Sequence, residues 1–220
     1  MSALEIDVFW SFRSPWSYLA TPRLRQWQER YELDVRFRAV YPIAIRTPEF
    51  FLQMNPLWPS YFQRDLVRVA EFLELPLTWP NPDPVQQYLG DDGRPRTSEE
   101  QPHIHRLTRL GIVAEEQGRG IEFADEISRL IWQGTANWHE GDHLAEAAVR
   151  AGLDLAELDR VVAAEEDRIE IRIEQNQADH EKAGHWGVPT MAFKGEPFFG
   201  QDRLDVLLWR LRKEGLQDRA

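Results

Sequence analysis

The hydrophobic period of this chain switches repeatedly between two residues and helical spacing, and the order of those changes limits the folds open to it. Ile6, Val8 and Trp10 alternate with Glu5, Asp7 and Phe9, the two-residue period of a strand. Trp16, Leu19, Ala20, Leu24, Trp27 and Tyr31 then recur at helical spacing, and Leu33, Val35, Phe37 and Ala39 return to alternation. Ser14-Pro15 marks the start of the helix, because serine accepts from a free N–H of the first turn and proline fits that turn without losing a bond. Pro22 removes a backbone donor inside the same stretch and predicts a kink or a split. A strand, a helix and a second strand in this order predict a right-handed parallel crossover.

The middle of the chain carries helical stripes instead. Phe62, Leu66, Val69 and Leu73 form one, and Ile104, Leu107, Gly111 and Ala114 another. Phe123, Ile127 and Leu130 follow, then Leu144, Ala147, Ala148 and Ala151, and the acidic stretch from Glu165 to Glu181 also reads as helix. Pro42 to Pro59 and Pro76 to Pro102 read as connections, the second long enough for a lid or a disordered loop. Two short strands return at Pro189–Phe193 and Pro197–Phe199, around a turn at Lys194-Gly195-Glu196. Leu204, Leu207, Leu208 and Leu211 then line a last helix. This order predicts an α/β core, residues 1–44 and 184–220, with a large helical subdomain, residues 45–183, inserted into it. A wholly helical protein with incidental strands fits the alternating segments less well.

Composition removes several functions. The 220 residues include no cysteine, so the protein cannot run thiol–disulfide exchange with its own thiols, nor build a cysteine-based zinc or iron–sulfur site. The net charge of −11 comes without any basic block, which argues against a nucleic-acid partner. Glu5 and Asp7 interrupt the first apolar stretch and no long uncharged run exists, so neither a signal peptide nor a membrane span is expected and a cytoplasmic location is. A small anionic ligand remains compatible, since a few local arginines can outweigh a distant negative surface.

Two separated stretches carry a family resemblance. One is Ser11-Phe12-Arg13-Ser14-Pro15-Trp16-Ser17-Tyr18-Leu19-Ala20; the other runs Gly187-Val188-Pro189-Thr190-Met191 and on to Phe198-Phe199-Gly200-Gln201-Asp202-Arg203. Together they resemble the 2-hydroxychromene-2-carboxylate isomerases and kappa-class glutathione transferases, in the DsbA-like branch of the thioredoxin superfamily. The resemblance implies a thioredoxin-like fold and glutathione as cofactor. It implies that Ser14 hydrogen-bonds the glutathione sulfur, that Val188 and a cis Pro189 hold its cysteinyl part, and that Gln201 and Asp202 hold the γ-glutamyl end. It extends through Tyr61, Asp65 and Arg68, and aligns Asn55 with an active-site asparagine. Two positions depart from the pattern: Ser11 stands where many relatives have aspartate, and the segment Asn55–Ser60 lacks their lysine. A homodimer is a further implication.

The chemistry such a site needs is simple. A free thiol with a pKa near 8.5 is mostly protonated at neutral pH, and unpaired donors at a helix start favour its thiolate. That thiolate can add to an electron-poor double bond. Expelling it afterwards makes an isomerase, and keeping the thioether makes a transferase. A non-catalytic thioredoxin-fold binding module is the third reading. The second substrate is expected to be a small aromatic or otherwise electrophilic molecule, with Phe12, Trp16 and Trp58 among its lining and Arg13 or Arg64 as the cation for an aromatic acid. Trp10, Phe50, Phe51 and Trp186 are further candidates for that lining.

Other patterns are set aside. His139-Glu140-Gly141-Asp142-His143 spells a zinc-protease motif, but Gly141 and the helix-capping Asp142 put it across a loop, so no metal is expected. His103-Ile104-His105 lacks a third ligand. His185 is a possible proton relay, with ordinary packing the stronger reading, and Gly118-Arg119-Gly120 reads as a helix terminator.

Overall fold

A computed structural model of the chain describes residues 3–219. The first strand, β1 (Leu4–Trp10), leads through α1 (Pro15–Arg30) to β2 (Leu33–Ala39), which pairs parallel with β1 from Leu4 opposite Leu33 to Trp10 opposite Ala39. After a long excursion the chain returns as β5 (Thr190–Phe193) and β6 (Glu196–Phe199), completing a four-stranded sheet of order β2-β1-β5-β6. Both returning strands pair antiparallel, β5 with β1 and β6 with β5. The last helix, α9 (Leu204–Lys213), closes the α/β core.

The excursion holds α2 (Ile43–Arg46), a 3-10 turn at Pro48–Phe51, α3 (Trp58–Phe72) and a hairpin of β3 (Gln87–Leu89) and β4 (Pro95–Thr97). It continues with α4 (Pro102–Glu116), α5 (Gly120–Trp132), α6 (His143–Arg150), α7 (Leu155–Ala164) and α8 (Glu166–Lys182). This is the α/β core with a helical insertion that the alternating and helical periods predict, arranged as the thioredoxin-like fold that the resemblance implies. The insertion is no detached lobe, because α5 packs on α1, and α4 and α8 pack on β2. One continuous cluster of buried residues runs from Ile6 and Val8 through Leu107 and Ile127 to Leu211.

A glycine makes one of these approaches possible. At Gly111 of α4 a Cβ would sit 3.2 Å from the rings of both Phe12 and Phe37, so the helix lies directly on those aromatics. Phe12 is fully buried there, edge-on to Trp10 at 4.6 Å and to Phe123 at 6.0 Å. The buried indoles keep their polar atoms satisfied: Trp10 donates to Thr21 Oγ1 (2.9 Å), and Trp132 donates to the Phe12 carbonyl (3.2 Å).

Two expectations need correction. α1 runs unbroken through Pro22, because Tyr18, Leu19, Ala20, Thr21 and Leu24 around it are all buried and packing holds the helix despite the lost donor. The stretch from Pro76 to Pro102 is not a disordered loop. Its Thr78 N–H donates to the Trp132 carbonyl (2.7 Å), Gln101 caps Gln86 from both sides, and the β3–β4 hairpin occupies its middle. Among the described residues no helix is long and apolar enough to cross a membrane.

Candidate active site

The turn from β1 into α1 puts Ser14 at the end of the central strands, where the chain returns at Val188-Pro189 into β5, the antiparallel partner of β1. Ser14 is the N-cap of α1 and has extended backbone geometry. Its Oγ accepts from the Ser17 N–H (3.2 Å) and donates to the Val188 carbonyl (3.2 Å), linking residues that lie at opposite ends of the sequence. The first turn of a helix leaves backbone donors without intrahelical acceptors. Pro15 has no N–H, Ser17 uses its own on Ser14, and the Trp16 N–H has no protein acceptor among the described residues. A hydroxyl and a free amide donor therefore sit together at the positive end of α1.

The peptide bond between Val188 and Pro189 is cis, as the resemblance implies. Just beyond it the Gly200 N–H donates to the Pro189 carbonyl (2.9 Å), fixing the turn against the entry to α9. A Cβ at Gly187, before Val188, would strike the Phe199 ring and force it to move. His185 donates no proton to a catalytic group. Its Nδ1 accepts from the Gly187 N–H (2.9 Å) and its ring stacks on Phe199 (4.0 Å), so it shapes this loop.

Beside Ser14 and Val188 opens a cavity of about 190 Å³. Its walls are mostly aromatic: Trp16, Phe50, Phe51, Trp58, Phe62, Trp186 and Phe199. The rings brace one another, with Trp58 stacked on Phe62 (4.6 Å), Trp16 edge-on to Phe62 (5.7 Å) and Phe50 against Trp186 (5.2 Å). α2, the 3-10 turn and the start of α3 supply one side, and the cis-proline loop and β6 the other. An aromatic-walled cavity of this kind suits a planar ring.

The expected site residues separate into three groups. Ser14, Val188, Trp16, Trp58 and Arg13 all line the cavity, and Pro189 sets its Val188 wall. Arg13 is spent, however, on a bidentate pair with Asp83, at 3.1 and 2.8 Å. Gln201 and Asp202 lie outside the lining, immediately past Phe199 and Gly200 at the start of the last helical segment. Three side chains are misplaced by the sequence reading. Phe12 belongs to the core beneath Gly111 and does not reach the cavity. Arg64 is exposed on α3, away from the lining. Asn55 is exposed too, and its Oδ1 accepts from the Leu57 N–H (2.9 Å), shaping the turn into α3.

One cation was missed. Arg46, the last residue of α2, lines the cavity with its Nε donating to the Tyr41 carbonyl (2.7 Å) and its Nη2 to the Trp186 carbonyl (2.9 Å). Burial pulls its pKa below the ordinary arginine value, against the pull of Glu181. Below this group lies His180, fully buried on α8 and stacked on Phe9 at 4.7 Å, with neither ring nitrogen partnered. Desolvation, with the Arg46 charge, pushes its pKa down to about 4, so it is a neutral packing group at physiological pH. The zinc-protease pattern lies as its composition implies: His139 and Glu140 are in a loop and His143 starts α6, so the two imidazoles do not share a helix face. Among the described residues no group of three or more histidine, aspartate and glutamate side chains could hold a metal.

Comparison with known proteins agrees with this fold. A DsbA-like thioredoxin domain matches residues 5–212. A 2-hydroxychromene-2-carboxylate isomerase of Sphingobium xenophagum is 26% identical over 211 residues, spanning 92% of this chain and 95% of the relative. A solved 2-hydroxychromene-2-carboxylate isomerase superposes with a TM-score of 0.69 at 20% identity, covering 96% of this chain and 95% of that one. The cytosolic disulfide reductase DsbM of Pseudomonas aeruginosa, solved with GSH, superposes at 0.58 and 19% identity, covering 95% of this chain and all of that one. From the crossover at its N-terminus to its last helix, this chain belongs to the DsbA-like thioredoxin-domain family.

Proposed function

We propose that the protein is a glutathione-dependent isomerase acting by reversible thiolate addition on an unsaturated aromatic carboxylate of the 2-hydroxychromene-2-carboxylate type. The observation that carries this reading is the position of the Ser14 hydroxyl: at a helix start, against the Val188 carbonyl, and at the edge of an aromatic cavity. Kinship with an isomerase of that name over 92% of the chain supports it. The absence of cysteine separates it from the disulfide-exchanging branch of the fold.

The residues present fit the tripeptide. Among the described residues the Val188 N–H has no protein acceptor, and its carbonyl faces the Ser14 hydroxyl. That backbone offers one donor and one acceptor to a cysteinyl residue laid antiparallel beside it. Gln201 and Asp202, at the adjoining helix start, are assigned the γ-glutamyl end. Glutathione, when bound, supplies the thiolate that adds to the conjugated double bond and leaves unchanged after the bond has rotated.

Every other step belongs to the chain. Ser14 turns its O–H from the Val188 carbonyl toward the sulfur, and the Trp16 N–H adds a second donor, so the ionised form is favoured by two hydrogen bonds and the end of the α1 dipole. Trp16, Phe50 and Trp58 hold the aromatic ring flat and keep water from the reacting carbon. Calorimetry with glutathione and S-methylglutathione tests the site, and absence of binding by both at millimolar concentration would overturn it. A product assay tests the reaction: rearranged substrate with glutathione recovered unchanged is the expected outcome, and a stable conjugate would identify a transferase.

A further inference from the structure

The cavity wall holds two guanidinium groups, and they differ in one respect that matters. Arg13 is paired with Asp83 through its Nε and Nη2, whereas no carboxylate of the described residues lies within ion-pair distance of Arg46. Arg46 is instead anchored by two backbone carbonyls, Tyr41 and Trp186, one from each side of the cavity. These bonds fix the plane of the guanidinium without neutralising it. Its Nη1 has no protein acceptor among the described residues and is left for a ligand.

A half-buried cation without a counter-ion is costly in a wall that is mostly apolar. The nearest carboxylate influence, from Glu181, is too distant to pair with it. What would complete the arrangement is an anion with planar, forked acceptors, which matches a carboxylate. Phe50 and Trp186, in contact at 5.2 Å, line the same cavity and provide a face for a ring that carries the acid.

We propose that Arg46 is a carboxylate-binding subsite of this cavity, a role the sequence reading had given to Arg13 or Arg64. The carboxylate has two possible sources under the function proposed above: the acid group of the aromatic substrate, and the terminal carboxylates of the thiol tripeptide. The subsite itself rests on the proposed function only for the identity of the ligand.

The test measures binding of 2-naphthoate and of its neutral isostere 2-naphthamide, in the absence of glutathione, to the intact protein and to Arg46→Gln and Arg46→Lys. Loss of a charge-assisted hydrogen-bonded pair weakens an anion by roughly 10- to 100-fold. Naphthoate is expected to lose that much in Arg46→Gln, naphthamide to lose less than about threefold, and Arg46→Lys to restore part of the naphthoate affinity. A parallel titration with S-methylglutathione assigns the source. A loss confined to naphthoate gives Arg46 to the aromatic acid, and a loss confined to the tripeptide gives it to glutathione.

Equal losses for naphthoate and naphthamide would overturn the proposal, because they would mean that Arg46 merely holds the Tyr41 and Trp186 loops in place. Unchanged binding of both carboxylate probes would overturn it as well. Naphthoate discrimination in a protein that binds no glutathione would leave the subsite standing and remove the proposed function.

Discussion

Acidification offers a stringent check on the packing beneath the site. His180 is fully buried against Phe9, has no hydrogen-bond partner on either nitrogen, and faces the positive charge of Arg46. Its neighbour in sequence and space, His185, adds a smaller repulsion. In the unfolded chain its imidazole takes up a proton near pH 6.5, but in the native protein only near pH 4. Between those values the unfolded state binds a proton that the native state refuses, so stability is complete above about pH 6.5 and falls as the pH drops toward 4. At 1.36 kcal/mol per pH unit this gap amounts to about 3 kcal/mol. The variant His180→Phe keeps the stacked ring and removes the titration. Urea unfolding followed by tryptophan fluorescence at pH 7, 6, 5 and 4 should show the stability of the natural chain dropping by about 3 kcal/mol more than that of the variant. The comparison cancels carboxylates common to both. Parallel pH dependence in the two proteins would refute the claim that His180 is held neutral by its surroundings.

Three further outcomes follow from the same structure. Glu115 is partly buried beside β2, accepts from the Phe37 N–H (3.0 Å) and has its pKa pushed up to about 8 by desolvation. The stability it confers is therefore complete below about pH 4.5 and lost as the pH rises through 8. Glu115→Gln should flatten that alkaline decline, by up to about 5 kcal/mol across the interval, in the same urea series. A Cβ at Gly120 would meet the Glu115 carboxylate and, at 2.8 Å, the Cβ of Phe37. Gly120→Ala should accordingly cost about 1–3 kcal/mol in equilibrium unfolding, with the near-ultraviolet dichroism of the aromatic core retained. Ser14→Ala removes the acceptor of the Ser17 N–H and should lower stability by about 1 kcal/mol, a loss too small to account for any large fall in turnover.

The α/β frame was legible because alternation and helical spacing are local properties of the chain. Ile6-Val8-Trp10 and Leu33-Val35-Phe37 announce buried strands without reference to the rest of the protein. Ser14 was legible as a helix cap and the cis Pro189 through the resemblance, and the antiparallel pairing of β5 with β1 brings the two together. Side-chain direction in the loops was not legible. Phe12 and Arg13 are adjacent, yet one turns under Gly111 into the core and the other turns outward to Asp83, a partner far away in the sequence. Arg46 was missed because its importance depends on two carbonyls, of Tyr41 and Trp186, that only the folded chain brings to the same guanidinium. The clue in the sequence was a lone cation in the apolar run Pro42-Ile43-Ala44-Ile45. Pro22 misled in the opposite direction, since its neighbours are buried deeply enough to hold the helix across it.

The central claim concerns the ionisation of a sulfur that the polypeptide does not itself provide. Titrating the ultraviolet thiolate absorbance of glutathione bound to the natural chain and to Ser14→Ala measures that ionisation directly. The bound thiol should titrate below its free value of about 8.5 in the natural chain and move back toward it in the variant, while S-methylglutathione binds both with similar affinity. A bound thiol that titrates like free glutathione, or identically in both proteins, would contradict the account.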